Sequence, residues 1–183
     1  QIGGLGFMSV MTAASLLVRR TITLRERMVI GAGFNLDSYG GIVRLTRRVL
    51  FGTLLFEGIG AALLSVRFVG EFGLLRGIGM GIFHAVSAFC NGGFDLMGTP
   101  DDPFCSLVGY AGDPLVSLTI MALIVIGGLG FFVWSDVWDR KCFKRLTLHS
   151  KLVLTTSGAL LAGGFVLTLL FEWSNPATLG GMT

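Results

Sequence analysis

Charge is scarce in this sequence. Of its 183 residues 14% are Asp, Glu, Lys or Arg, against 52% hydrophobic, and the mean hydropathy is +0.77. Soluble domains carry about 25% charged residues, so a water-facing globular enzyme or binding module is excluded. Proline is nearly missing, with four residues against 28 glycines. Glycine is more frequent in membrane helices than in soluble ones, because close packing there relies on small side chains. The three cysteines, Cys90, Cys105 and Cys142, are an odd number at unrelated spacings, which leaves neither a disulfide framework nor a zinc site. The net charge of +3 is small and its basic residues are clustered, so no nucleic-acid partner is expected. What remains is an integral membrane protein with lipid as its solvent.

Four apolar segments are present, at 1–18, 49–66, 114–135 and 152–173. The second and third can each cross a hydrocarbon core of about 30 Å as helices. Between them lies a shorter apolar stretch from Ile78 to Cys90, too short to cross and suited to a re-entrant element. Arginines crowd the loop from Arg19 to Arg48, and Arg140, Lys141, Lys144, Arg145 and Lys151 crowd the loop after 135. By the positive-inside rule both loops are cytoplasmic. The other side carries Glu71, Asp95, Asp101, Asp102 and Asp113, a sign that would concentrate cations there. The expected location is a plasma membrane, the inner membrane of a bacterium, crossed several times.

IGGLGF occurs at Ile2–Phe7 and again at Ile126–Phe131, and each copy is followed at the same offset by a Thr-Leu pair, Thr23-Leu24 and Thr147-Leu148. This points to tandem membrane units in parallel orientation. The expected fold is an all-α polytopic membrane protein of tandem helix–pore loop–helix units, as in potassium channels. Residues 42–139 form one complete unit with its pore loop at 76–98. Residues 1–41 are the end of the preceding unit's second helix and a cytoplasmic loop, and 140–183 are a cytoplasmic loop and the first helix of the next unit. Because the sequence starts and stops beside apolar segments, it reads as an internal piece of a longer protein.

The pore loop contains FHAVSAFCNGGFD at 83–95. Non-helical backbone at membrane depth is tolerated only where it is buried in protein or lines a watery cavity. Glycine permits positive φ and lets successive carbonyls face one way. Carbonyl oxygens arranged as a ring replace the hydration shell of a monovalent cation, and the negative end of the short helix favours the same charge. A tight turn capping a short buried helix is the plainer alternative for Gly92-Gly93.

These residues carry a resemblance. The helix–pore loop–helix pattern, the IGGLGF second helices and SAFCNGGFDL at Ser87–Leu96 resemble the Ktr/Trk/HKT superfamily of potassium transporters, and most closely its KtrB-type membrane subunits. The resemblance implies four such units around one central pore, each giving one filter strand with a single retained glycine. That glycine falls on Gly93, with Gly92 where Ala or Val is usual and Asn91 at a polar, threonine-like position. Cys90 departs from the pattern, where a polar residue is more usual. The implied filter residues are Cys90, Asn91, Gly92 and Gly93 through their backbone carbonyls, with potassium at Asn91 and Gly92, and Phe94 and Asp95 flanking. The resemblance further implies potassium as substrate with no cofactor, sodium as a possible coupling or modulating ion, a homodimer, and a cytosolic nucleotide-binding regulatory subunit of the KtrA kind.

Other features have narrower readings. His84 reads as a hydrogen-bonded packing residue, and His149 as interfacial. Glu57 lies near mid-membrane, where an acid is either functional or a tie within the helix bundle. Gly77 and Gly81 stand four apart, as in close helix packing, and no GxGxxG or Walker pattern forms there. His84 and Ser87 are neighbours on one helix without a third member, which disfavours an intramembrane hydrolase. A non-transporting assembly or sensor subunit stays open as the alternative to potassium uptake. The basic loops read as contacts with lipid head groups or as a docking surface.

Overall fold

The computed structural model of the protein describes residues 39–100, 104–173 and 175, with side chains from residue 47 onward. The first IGGLGF copy and the basic loop as far as residue 38 lie outside the described residues, and residues 39–48, expected to belong to that loop, are helical. All regular structure among the described residues is helical. The chain divides at Gly128/Leu129 into two compact units.

In the first unit α1 runs from Tyr39 to Phe72. Its segment Arg47–Phe72 has a mean hydropathy of 1.9 and is long enough to cross a membrane. The helix is apolar all round, which marks a membrane helix rather than an amphipathic surface one. One stripe is buried, Val49, Thr53, Glu57, Gly60, Leu64 and Phe68, while Phe51, Leu54, Ile59 and Val66 face outward.

Gly73 ends α1 with φ 81°, ψ 169°, a conformation that an L side chain rarely adopts. Helix α2, Leu74–Phe89, is 16 residues long, about 24 Å at roughly 1.5 Å per residue. Its buried residues are Gly77, Met80, Gly81, His84, Ala85, Ala88 and Phe89, the recurrence of one helical face. That face folds back along α1. A Cβ at Gly77 would sit 2.6 Å from the Val69 Cα, and one at Gly81 would sit 2.9 Å from the Ala61 carbonyl oxygen. The two helices therefore touch backbone to backbone and antiparallel, as the spacing of Gly77 and Gly81 predicts. Rings continue the seam, with Phe68 edge-on to His84 at 5.6 Å and Phe56 stacked on Phe89 at 6.5 Å.

A loop with one 3-10 turn, Val108–Tyr110, leads to α3, Pro114–Leu129. Asp113 caps α3, its Oδ1 accepting from the amides of Leu115 and Val116, with proline at the first helical position, where no N–H is needed. Leu123 of α3 lies over Gly60 of α1. The apolar run 114–135 reads as one helix in the sequence, but α3 stops at Leu129 because Gly130 adopts φ 84°.

The second unit contains α4, Phe131–Arg140, a 3-10 turn at Phe143–Arg145, and α5, Leu148–Glu172. Lys141, left-handed at φ 52°, ends α4. Thr147 caps α5 through Ser150 N–H and is itself held by Asp136, whose Oδ2 accepts from the Thr147 amide at 2.8 Å and hydroxyl at 2.9 Å. The Thr-Leu pair of the second repeat is thus a helix start. Helix α5 has a mean hydropathy of 1.9 and is long enough to span a membrane.

Candidate functional site

The site is the turn after α2. Asn91 N–H donates to the Ala88 carbonyl at 3.0 Å and Gly92 N–H to the Ser87 carbonyl at 2.8 Å. Asn91 has φ 53°. These two bonds and one left-handed residue make a Schellman cap. The residue in the left-handed position is Asn91 and not a glycine. Asparagine tolerates that conformation better than most side chains because its short amide bonds locally. The glycines are left for the next step, where Gly93 has φ 69°.

Beyond the cap, the carbonyls of Cys90, Asn91, Gly92 and Gly93 accept no hydrogen bond from a described residue. The row is bracketed by engaged carbonyls, Ser87 and Ala88 before it and Phe94 after it. Asn91, Gly92, Gly93 and Phe94 are exposed, Cys90 and Asp95 half-buried. The carbonyls of this row are open to solvent at the negative end of a helix, where water or a cation can meet them.

The turn also stands at a defined level. Phe89 stacks on Phe56, which lies well inside the apolar segment Arg47–Phe72. Glu57, next in sequence, is 5% exposed, and Thr53, one turn earlier, 1%. The sequence singles out Glu57 but not Thr53. Both belong to the inward stripe of α1.

The chain then returns alongside α2. Ser87 Oγ donates to the Phe94 carbonyl at 2.7 Å and accepts from Phe94 N–H at 2.8 Å. His84 Nε2 faces Leu96 N–H at 3.3 Å and so must accept. The proton therefore sits on Nδ1, which donates to the Met80 carbonyl at 2.7 Å. At 1% exposure, with Phe68 and Phe83 edge-on to its ring, His84 is a hydrogen-bonded packing residue, as the sequence suggests. Asp95 Oδ1 accepts from Met97 N–H, and Cys105 Sγ donates to the Met97 carbonyl.

Helix α3 supports the turn from its other side. A Cβ at Gly127 would collide with the Phe89 carbonyl oxygen, and one at Gly128 would rest 3.7 Å from Asn91 Nδ2. In IGGLGF the first two glycines thus face the site and the third breaks the helix. The sequence displays this repeat without revealing those separate tasks.

The acids expected on the outer face are less free than composition suggests. Asp113 Oδ2 accepts from Arg67 Nε at 2.7 Å, and Glu71 Oε2 accepts from Tyr110 Oη at 2.7 Å and pairs with Arg67 at 3.5 Å. The Arg67 hydrogen bond, with help from two amides, holds the Asp113 carboxyl below its usual range. Burial, then the Glu71 carboxylate, pushes the Tyr110 hydroxyl up to about 12. Asp101 and Asp102 lie outside the described residues.

An apolar helical hairpin of one membrane-length helix and one short helix belongs to an all-α membrane protein. The sequence matches a family model described as TrkH, cation transport protein, over residues 1–178, and the chain belongs to that family. It is 40% identical over 172 residues to the potassium/sodium uptake protein NtpJ of Enterococcus hirae, covering 94% of the chain and 37% of that protein. It is 39% identical over 180 residues to the Ktr system potassium uptake protein B of Bacillus subtilis, covering 98% and 39% respectively. The corresponding protein of Vibrio alginolyticus is 36% identical over 185 residues, covering 100% of the chain and 39% of that protein. The chain thus spans less than two fifths of the length of these relatives. All three are named as uptake proteins and none as an enzyme.

Proposed function

We propose that the protein takes up potassium across the plasma membrane through a central pore, and that the carbonyls of Cys90, Asn91, Gly92 and Gly93 supply one quarter of its filter. One observation supports the reading: a run of consecutive carbonyls without hydrogen-bond donors among the described residues, held open by a left-handed Asn91 and a left-handed Gly93. An ion that sheds water needs replacement oxygens, and peptide carbonyls provide them without introducing net charge. The end of α2 adds its negative dipole. Residues 42–139 act as one unit, and three further units of the same kind complete the ring. The names of the relatives support potassium as the substrate, and sodium enters the proposal as a coupling or modulating ion. The basic loop around Arg140–Lys151 fits a cytosolic regulatory subunit that binds nucleotide, beneath a dimer of the full chain.

The test is Gly93→Ser in the full-length protein, expressed in cells without their own potassium uptake. At wild-type abundance in the membrane, rubidium influx falls at least tenfold, because a Cβ strains a residue held at φ 69°. Influx equal to a transporting wild type would take Gly93 out of the ion path, and a wild type without influx would favour a non-transporting assembly or sensor subunit.

A further inference from the structure

We infer that Ser87 and His84 are positioning residues that set the spacing of the filter carbonyls by suspending the return strand, residues 94–96, from α2. The inference rests on the reading that the carbonyls of 90–93 hold the ion.

Ser87 closes a small ring. Its backbone carbonyl accepts from Gly92 N–H at 2.8 Å, while its side-chain oxygen binds both the N–H and the carbonyl of Phe94. Gly92, Gly93 and Phe94 therefore begin and end on one helical residue. The orientation of the Gly92 and Gly93 carbonyls follows from that closure. His84, three residues earlier and on the same face of α2, adds a second attachment at Leu96 N–H. The anchor itself is rigid. The His84 ring is fixed by its bond to Met80 and by Phe68 and Phe83 at 5.6 and 5.7 Å.

Packing does not do this task. A Cβ built on Gly93 would have nothing within 4 Å, Phe94 is 71% exposed and Leu96 46%. A cavity of about 260 Å³, lined by His84, Ser87, Asp95, Ile120 and Ile124 among others, adjoins the strand. A strand with so little side-chain support takes its position from its hydrogen bonds, and among the described residues those of Phe94 and Leu96 go to Ser87 and His84. Neither residue touches the ion in this arrangement, and both act through the backbone.

The experiment uses the full-length protein with His84→Gln, His84→Ala, Ser87→Thr and Ser87→Ala. Two quantities are read: the rubidium-to-sodium influx ratio in cells, and hydrogen exchange of the Phe94–Leu96 amides in detergent. Glutamine can present an oxygen where His84 presents Nε2, and threonine keeps the hydroxyl. The alanine variants should exchange at Phe94–Leu96 at least about fivefold faster and lose discrimination by a similar factor, while the glutamine and threonine variants approach wild type. Alanine variants that exchange and discriminate like wild type, or conservative variants no better than alanine, would overturn the inference. If His84→Ala does not accumulate, the Ser87 pair decides alone, since that residue is only half-buried. A wild-type protein that carries neither cation refutes the uptake reading, and the exchange rates still decide the suspension.

Discussion

At Asp113 one carboxylate serves two elements. One oxygen caps α3 and the other binds Arg67 in the last turns of α1. Asp113→Ala removes both roles, whereas Asp113→Asn keeps an oxygen for the cap and gives up the charge. In detergent at pH 7 the alanine variant should melt a few degrees below wild type, with the asparagine variant between them. The folded carboxyl titrates below its ordinary range, so its stabilising effect is present above the unfolded value, near 3.9, and disappears as pH falls through the folded one. The gap between wild type and Asp113→Asn should therefore persist to about pH 4 and close only in stronger acid. Equal midpoints at pH 7 would show that the charge contributes nothing. The partner Arg67, 46 residues away, is not announced by any local pattern in the sequence.

Among the elements, α3 and α2 meet where a side chain has no room. Gly127→Ala drives a methyl into the Phe89 carbonyl, and overpacking of this kind costs about 1–3 kcal/mol. Because Phe89 is the last residue of α2, the displacement passes directly into Cys90–Gly93. Rubidium influx should fall several-fold in Gly127→Ala, while Gly128→Ala, which meets only an ordinary contact 3.7 Å away, should stay near wild type. Equal influx in the two variants would argue that α3 does not hold the turn. Much at this scale is legible beforehand. The short helix follows from its length, and Gly77 and Gly81 from their spacing. The Gly130 break is hidden, because a glycine within an apolar run resembles one used for packing until its φ is known. The attachments of Ser87 and His84 are hidden for another reason. They join residues seven and twelve positions apart, and neither separation is a helical or strand period. The identity of the cap was equally ambiguous, since Asn91, Gly92 and Gly93 can all adopt the left-handed conformation.

At the scale of the molecule, charge asymmetry gives an orientation that can be measured. Cys142 is exposed beside Lys141, Lys144 and Arg145, in the loop assigned to the cytoplasm. In a full-length variant keeping no other cysteine, an impermeant maleimide should label Cys142 only after the membrane is opened. Labelling of intact cells would invert the topology and put the turn at Cys90–Gly93 on the wrong face for the proposed filter. The apolar side chains that cover α1 and α5, such as Phe51, Val66, Phe165 and Leu170, are what lipid or neighbouring helices cover in such a protein.

The glycine seam between α1 and α2 also bears on how the protein is made. A helix of about 24 Å cannot bridge a bilayer core of about 30 Å by itself, so α2 has no stable transmembrane state of its own during synthesis. It must wait for α1 to be standing in the lipid and then fold down along it, with Gly73 as the corner and Gly77 and Gly81 as the track. The turn at Cys90–Gly93 is delivered to its depth by that docking, which makes assembly of the hairpin an intramolecular event, and in the proposed uptake protein one that precedes closure of the ring.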